Sequence, residues 1–401
     1  MFENILGHEQ QRSQLRRAIE GGTLPSTLLF TGPKYAGKLT TALELARSLT
    51  CEGDASWSCP CRACAQQRAL LHPETLLVGR RDFLPEIHLA RRALLRAPQR
   101  ATLYLFLRSV RKLTRRFDSI LWEGEDQRIA KTATVLNELE ELLREIDVPD
   151  PAPRRIGEAG ERVVELAESA LRAAPADLTP ISLVRNVAFW ARIAPTGRAR
   201  VVVIENAENL NDAARNAMLK ILEEPPPSVY FVLIAERGQA VIDTIRSRAR
   251  LYSFADRGGE TEGEVIRRIF RDPDVDSPTL REYFLQQAGG EDSATIAGLA
   301  GQVAAVLRSR PGWERYSSLQ ELSERVETSL GKSGYRAFFE ALLEALDPGA
   351  GEASAAEGVL SRRRVAAALA EATQRSESLN MSMQNVLEDL MYTLEHNAQV
   401  H

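Results

Sequence analysis

A short apolar run from Thr27 to Thr31 leads directly into Gly32-Pro33-Lys34-Tyr35-Ala36-Gly37-Lys38-Leu39-Thr40, and helical spacing resumes from Leu39 to Leu49. Strand, glycine-rich turn and helix in that order constrain the chain strongly. They belong to layered α/β folds, where a buried strand delivers a loop to the N-terminus of a helix. The spacing nearly fits G-x-x-x-x-G-K-[ST]. In that motif glycines let the backbone wrap phosphate oxygens, the helix N-terminus supplies N–H donors, and the lysine supplies charge. Gly32, Gly37 and Lys38 are therefore candidate nucleotide-binding residues. The competing reading is a helix-capping turn that carries a surface lysine. One part of the motif is missing. The residue after Lys38 is Leu39, where a Ser or Thr hydroxyl would hold Mg²⁺. Thr40 comes one position later, about 100° further round the helix, and is a poor substitute.

Two further buried strands are legible. Val201-Val202-Val203-Ile204 is β-branched throughout, and Val229 to Ile234 is a similar run. Between them, Asp212 to Leu222 places Ala213, Ala217, Met218 and Ile221 on one side of a helix, which Pro225-Pro226-Pro227 terminates. His8 to Glu20 reads as a helix closed by Gly21-Gly22. Strands alternating with helices predict a parallel sheet. After the second strand comes Glu205-Asn206-Ala207-Glu208. Glu205 is the candidate metal-side acid of a nucleotide site. Asn206 stands where a carboxylate would activate water, and an amide cannot accept that proton. Two independent defects thus weaken any hydrolytic reading.

Composition narrows the class. The chain has 401 residues, a formal net charge of −4 and 44% hydrophobic residues, so two or three globular domains are expected. A near-neutral balance argues against a dedicated nucleic-acid binder. No apolar run approaches the roughly 20 residues of a membrane span. The start, Met1-Phe2-Glu3-Asn4, lacks a signal-peptide pattern, and a cytoplasmic location is expected.

All four cysteines, Cys51, Cys59, Cys61 and Cys64, fall in one short window. In a reducing compartment such clustering points to a closed, structural tetrathiolate zinc site. A degenerate thiol cluster and disulfides are the alternatives. His72 is the only histidine nearby, and it reads as part of the following turn or as a replacement ligand.

From about 83 to 174 apolar residues recur at helical spacing (Leu103, Phe106, Val110; Leu136, Leu139, Leu143; Val163, Leu166, Ala170), which predicts a helical insertion of three or more helices. Pro149, Pro151 and Pro153 mark a linker within it. Arg80 to Arg116 holds eleven Lys or Arg against two acids, and the next helix is acidic. These segments are either two solvated helix faces that attract each other or a phosphate-backbone contact. Beyond Phe254 the pattern is wholly helical. Ala255 to Gly263 forms a hinge and Glu264 to about Leu307 a small bundle. A loop at Asp347 to Gly351 separates it from amphipathic helices at Val365 to Ala372 and Met381 to Leu394.

Leu219-Lys220-Ile221-Leu222-Glu223-Glu224-Pro225-Pro226, the preceding Asn216-Ala217-Met218, and Thr244-Ile245-Arg246-Ser247-Arg248 together resemble the bacterial clamp-loader subunits of DNA polymerase III, an AAA+ family. Phe2-Glu3-Asn4-Ile5-Leu6-Gly7-His8 and His72-Pro73 also fit. Ala249 replaces the cysteine of the family's Ser-Arg-Cys motif. The resemblance covers about 1–75 and 180–255 well and the C-terminal part more loosely, with Leu379-Asn380 and the next helix similar to the family's collar. It implies an α/β AAA+ domain over 1–255 with a zinc module at 51–64, a helical lid over 256–307 and an all-α collar over 308–401.

In that family the gamma and tau subunits keep a complete P-loop and acid pair, whereas the delta-prime type has a decayed P-loop but keeps the Ser-Arg motif. Leu39 and Asn206 resemble the latter. The resemblance then implies that Arg248, next to Ser247, acts as an arginine finger in a neighbouring ATPase subunit. It also implies gamma/tau and delta subunits, a sliding clamp and primed DNA as partners, structural Zn²⁺, and doubtful ATP binding at Gly32, Gly37, Lys38, Thr40 and Glu205. The family's zinc module normally separates its middle cysteines by two residues, but here only Pro60 lies between Cys59 and Cys61. An active clamp-loader or repair ATPase, and a scaffold in which neither site acts, are the competing functions. The insertion is expected at the periphery of the ring.

Overall fold

The structure, a computed structural model, describes residues 1–148, 153–175, 179–273, 279–288, 293–309, 313–346 and 382–398. The chain divides into two compact units, Met1–Tyr283 and Phe284–His401.

The first unit is built on five strands: β1 (Thr27–Thr31), β2 (Thr75–Val78), β3 (Arg200–Glu205), β4 (Val229–Ala235) and β5 (Arg250–Ser253). They pair in the order β2-β3-β4-β1-β5, and every pair is parallel. Parallel strands must be covered on both faces, and the continuous apolar runs in β1, β3 and β4 answer that need. Successive side chains go to opposite faces. Leu28, Phe30, Val201, Val203, Val232 and Ile234 enter one core together with Phe2, Ile5, Leu15 and Leu39. Leu29, Val202, Ile204, Phe231 and Leu233 enter the other. Helices α1 (Glu9–Glu20) and α2 (Lys38–Thr50) precede α3 (Arg62–Arg68), and α2 begins at the glycine loop. The expected strand–loop–helix order and the parallel sheet are both present.

The second core continues into the insertion. It joins Phe83, Ile87 and Leu94 of the α4 (Leu84–Arg96) region to Leu103 and Phe106 of α5 (Arg100–Thr114) and to Trp122. Leu139 of α6 (Asp126–Ile146) and Val163 of α7 (Pro153–Ala173) complete it. The insertion is therefore one layer of the domain, sharing its apolar core with β2 and β3, rather than a separate bundle added to it. Helical spacing correctly marked the buried faces, but spacing does not say what a face is buried against. Pro149 and Pro151 of the expected linker lie outside the described residues, and Pro153 opens α7.

Helices α8 (Ile181–Arg192), α9 (Asp212–Glu223) and α10 (Asp243–Arg246) complete the sheet domain, and α11 (Gly259–Ile269) follows the hinge. The division between the units falls inside α12 (Leu280–Ala288). In the second unit α13 (Ser293–Arg308), α14 (Trp313–Leu346) and α15 (Met383–Ala398) share one core through Val303, Leu319, Phe338 and Leu387. By packing, α13 thus goes with the C-terminal helices and not with the 256–307 segment in which the sequence reading placed it. The expected loop at 347–351, the helix at 365–372 and Leu379-Asn380 lie outside the described residues. Among the described residues no helix is long and apolar enough to cross a membrane.

Phe106 is fully buried in the shared core. Phe106→Ala should lower unfolding free energy by about 3–5 kcal/mol, measured by urea denaturation followed through far-UV circular dichroism. A loss below about 1 kcal/mol would contradict a common core for insertion and sheet.

Candidate nucleotide and metal sites

The loop after β1 is shaped by its glycines. Gly32 has φ +141°, and a Cβ there would stand 2.0 Å from the carbonyl oxygen of Phe254. Gly37 has φ +85°, and a Cβ there would stand 1.9 Å from an Nη of Arg257. The hinge arginine therefore lies directly on the loop, and its Nε is buried without a hydrogen-bond partner. Lys38 is only 7% exposed. Its ammonium donates to the carbonyl of Gly32 and, at 2.6 Å, to that of Pro33. Burial pulls its pKa below the ordinary lysine value, against the pull of Glu236, Glu208 and Glu205. Leu39 is buried in the first core, and Thr40 is exposed. A side chain committed to apolar packing now follows the loop lysine.

Glu205 ends β3. Gly79, at φ +102°, brings the chain after β2 against it, since a Cβ there would stand 2.3 Å from the Glu205 carbonyl oxygen. This close approach sets Arg81 beside the carboxylate, 3.5 Å from Oε1. Arg116, from the single 3-10 turn Arg115–Phe117 after α5, donates to Oε2 and, at 2.7 Å, to the carbonyl of Val78. Arg116 is buried, and burial brings its pKa down to about 10, still cationic at neutral pH. The acid expected to face a metal is thus engaged by two guanidinium groups. Asn206, at φ 53°, donates its amide to the Arg80 carbonyl. Glu208 accepts from the Glu236 N–H at 2.8 Å.

Beside the glycine loop, a cavity of about 680 Å³ is lined by His8, Gln11, Asp256, Arg257, Thr261 and Glu264, among others. His8 hydrogen-bonds the Ala36 carbonyl through Nε2 at 2.7 Å, and its ring meets Phe254 edge-on.

Arg248 makes its contacts elsewhere. One Nη donates to Glu223 Oε1 at 2.8 Å, and the other to the Thr244 carbonyl at 2.8 Å and to Ser247 Oγ at 3.3 Å. Arg248 and Glu223 are both exposed, so their ion pair is readily exchanged.

The four thiol sulfurs converge. Cys51, Cys59, Cys61 and Cys64 place their Sγ atoms within 4.8 Å of one another, three of the residues being buried. The shortened Cys59-Pro60-Cys61 spacing therefore does not prevent convergence. Backbone N–H groups of Gly53 and Ala55 donate to Cys51 Sγ at 3.2 Å each, and that of Cys64 to Cys61 Sγ at 3.4 Å. Such donors suit sulfur bearing negative charge, and the set fits a tetrahedral divalent ion of the zinc type. His72 is outside the cluster, and its Nδ1 accepts from the Glu74 N–H at 3.2 Å.

The basic stretch meets the acidic helix in part, as expected of two helix faces that attract each other, through Arg100 and Arg111 on Asp147, but most of its cations find other partners. All eleven cations have internal partners. Arg96 pairs with Asp272 at 2.8 Å, Arg100 and Arg111 share Asp147, and Lys112 meets Glu86. Arg91 faces Glu161 and Arg115 pairs with Asp118, while Arg108 donates to the carbonyls of Gln67 and Arg68. Arg81 and Arg116 hold Glu205, and Arg80 and Arg92 have partners too. Arg111, Lys112 and Arg116 are buried. Some of these pairs tie helices of the insertion to one another, while Arg108, Arg111, Arg115 and Arg116 brace it against the sheet domain. Arg81, Arg116 and Arg257 were missed as site residues, because only their membership of a cation-rich stretch or a hinge is visible along the chain.

Comparison with known proteins gives the following similarities. The family model described as DNA polymerase III, delta subunit, matches residues 7–129 and 181–257. A DNA polymerase III subunit delta′ of Escherichia coli is 46% identical over 59 residues, 15% of this chain and 18% of that protein. A DNA polymerase III subunit gamma/tau of Mycobacterium tuberculosis is 30% identical over 121 residues, 30% of this chain and 21% of that protein. The matched segments thus span about a fifth of these relatives. A solved DNA polymerase III gamma subunit-related protein from Thermotoga maritima covers 96% of this chain at 13% identity and a TM-score of 0.37.

Burial lowers the pKa of His8, His72 and His88. Each is therefore neutral in the folded chain at a pH where the unfolded chain, with a pKa near about 6.5, binds a proton. Stability should fall as the pH drops below about 6.5, before carboxylates titrate near about 4. Urea midpoints measured from pH 7 to 5.5 should decline, with a smaller decline in His8→Gln. A flat profile would contradict the burial of these rings.

Proposed function

The chain belongs to the DNA polymerase III clamp-loader family as a delta-prime-like member, and from that premise we propose that it is a subunit that does not hydrolyse nucleotide. In this reading it is a fixed wall of a ring of related subunits that opens a sliding clamp and loads it on primed DNA in the cytoplasm. Its partners are gamma/tau-type ATPase subunits and a delta subunit. The second unit, residues 284–401, supplies the collar contacts.

The observation that carries this reading is the engagement of Glu205 by Arg116 and Arg81. A metal ion at this acid would have to displace two guanidinium groups, one of them buried and hydrogen-bonded to the Val78 carbonyl. Leu39 and Asn206 remove the magnesium hydroxyl and the water-activating carboxylate independently. Three changes in one pocket oppose hydrolysis.

Arg248 is the residue proposed to act in trans. Its guanidinium is exposed and tethered only by groups of its own surface: Glu223, Thr244 and Ser247. Exchange of the Glu223 carboxylate for the γ-phosphate of a neighbour's nucleotide requires only local side-chain movement. There the cation would offset transition-state charge. Zn²⁺ held by Cys51, Cys59, Cys61 and Cys64 would be structural, tying the loop after α2 into a rigid module.

The isolated chain with ATP and Mg²⁺ should release no phosphate above background. In a reconstituted complex Arg248→Ala should lower DNA-stimulated ATPase roughly tenfold or more. Robust turnover by the isolated chain would overturn the non-hydrolysing role. Unchanged turnover by the variant complex would leave only a scaffold.

A further inference from the structure

The last turn of α2 buries an arginine beside the thiol cluster. Arg47 is 1% exposed, and all five of its N–H donors find acceptors. Nε donates to Glu44 Oε2 at 2.9 Å, and Nη2 to Glu44 Oε1 at 2.6 Å and the Ala55 carbonyl at 2.7 Å. Nη1 donates to the Ser56 carbonyl at 2.9 Å and to Cys64 Sγ at 2.9 Å. Glu44 in turn accepts from the backbone N–H of Phe2 at 3.2 Å.

This arrangement exceeds what an ion pair within one helix needs. Two donors orient the guanidinium on Glu44, two clamp the loop between Cys51 and Cys59, and the last points at a thiol sulfur. Four thiolates around a divalent cation leave two negative charges in a buried place, which outer N–H donors must stabilise. Backbone groups serve Cys51 and Cys61. Cys64 has the side chain of Arg47.

We propose that Arg47 is the positioning residue of the metal centre: it fixes Cys64 Sγ for coordination and links the occupied centre to helix α2 and to the N-terminal segment at Phe2. The inference rests on the proposed zinc site. Metal then stabilises more than its own loop, because the fork holding Cys64 also holds Glu44 and through it Phe2, a residue of the first core. Lysine cannot reproduce this role. Its three donors lack the planar fork that reaches Glu44, two carbonyls and a sulfur together.

The test uses the full chain loaded with Zn²⁺ and, separately, with Co²⁺. Zinc release to a chromogenic chelator should be roughly ten- to a hundredfold faster in Arg47→Met than in the unaltered chain, with Arg47→Lys in between. The thiolate-to-cobalt charge-transfer band should shift in both. Adding Glu44→Gln to Arg47→Met removes the stranded carboxylate. The proposal expects release to stay fast in that double variant, and restored slow release would overturn it. Unchanged release and an unchanged cobalt spectrum in folded variants would also overturn it. Should Arg47→Met fail to fold, Arg47→Lys and the double variant decide by the same two readouts. An unaltered chain that takes up neither metal would overturn the zinc reading itself, a result distinct from normal uptake with Arg47 indifferent.

Discussion

Two guanidinium groups on one carboxylate organise the functional half of this molecule. Glu205 ends a parallel strand at the carboxyl edge of the sheet, where ligands of such folds bind, and is itself buried. Arg116 reaches it from the turn after α5, and Arg81 from the turn after β2. Around them Lys112 and Arg81 hold the Glu86 carboxyl below the usual range against the upward push of burial. Removing one partner of such a buried cluster would leave an uncompensated charge, a cost of about 3–5 kcal/mol. The cluster is thus part of the fold, while its location decides the chemistry of the pocket.

The same contact explains why the insertion cannot be regarded as decoration. Arg116 is held in place because Trp122 donates its indole N–H to the Arg116 carbonyl at 2.8 Å, and Trp122 lies in the core shared by sheet and insertion. At the other end of that layer, Arg96 bonds Asp272 and the Phe270 carbonyl beyond the hinge. The layer therefore braces both the acid of the pocket and the segment that follows Arg257. Such bracing suits the fixed, non-hydrolysing role proposed above.

Much of this was readable along the chain. The glycine loop, β3, β4 and α9 announce themselves through β-branched runs, glycine positions and prolines that stop a helix. The four cysteines announce a common site by clustering. Less was readable where partners are distant in sequence. Arg116 and Glu205 are 89 positions apart, and nothing in the basic stretch distinguishes Arg116 from the cations around it. β2 is four residues long and β5 is mostly exposed, so neither carries enough pattern to stand out. Arg47 looks like an ordinary basic residue in the last turn of a helix. Only packing shows that its five donors are all taken. The sign of the charge on Arg80 to Arg116 was plain, but its destination was a property of the fold.

The proposed role rests on a pocket without capacity for a metal–nucleotide complex. Calorimetric titration of the full chain with a non-hydrolysable ATP analogue, with and without Mg²⁺, addresses it most directly. The account predicts weak or absent binding that magnesium does not change. Tight binding that depends on magnesium would show that Glu205 is free to serve a metal, and would contradict it.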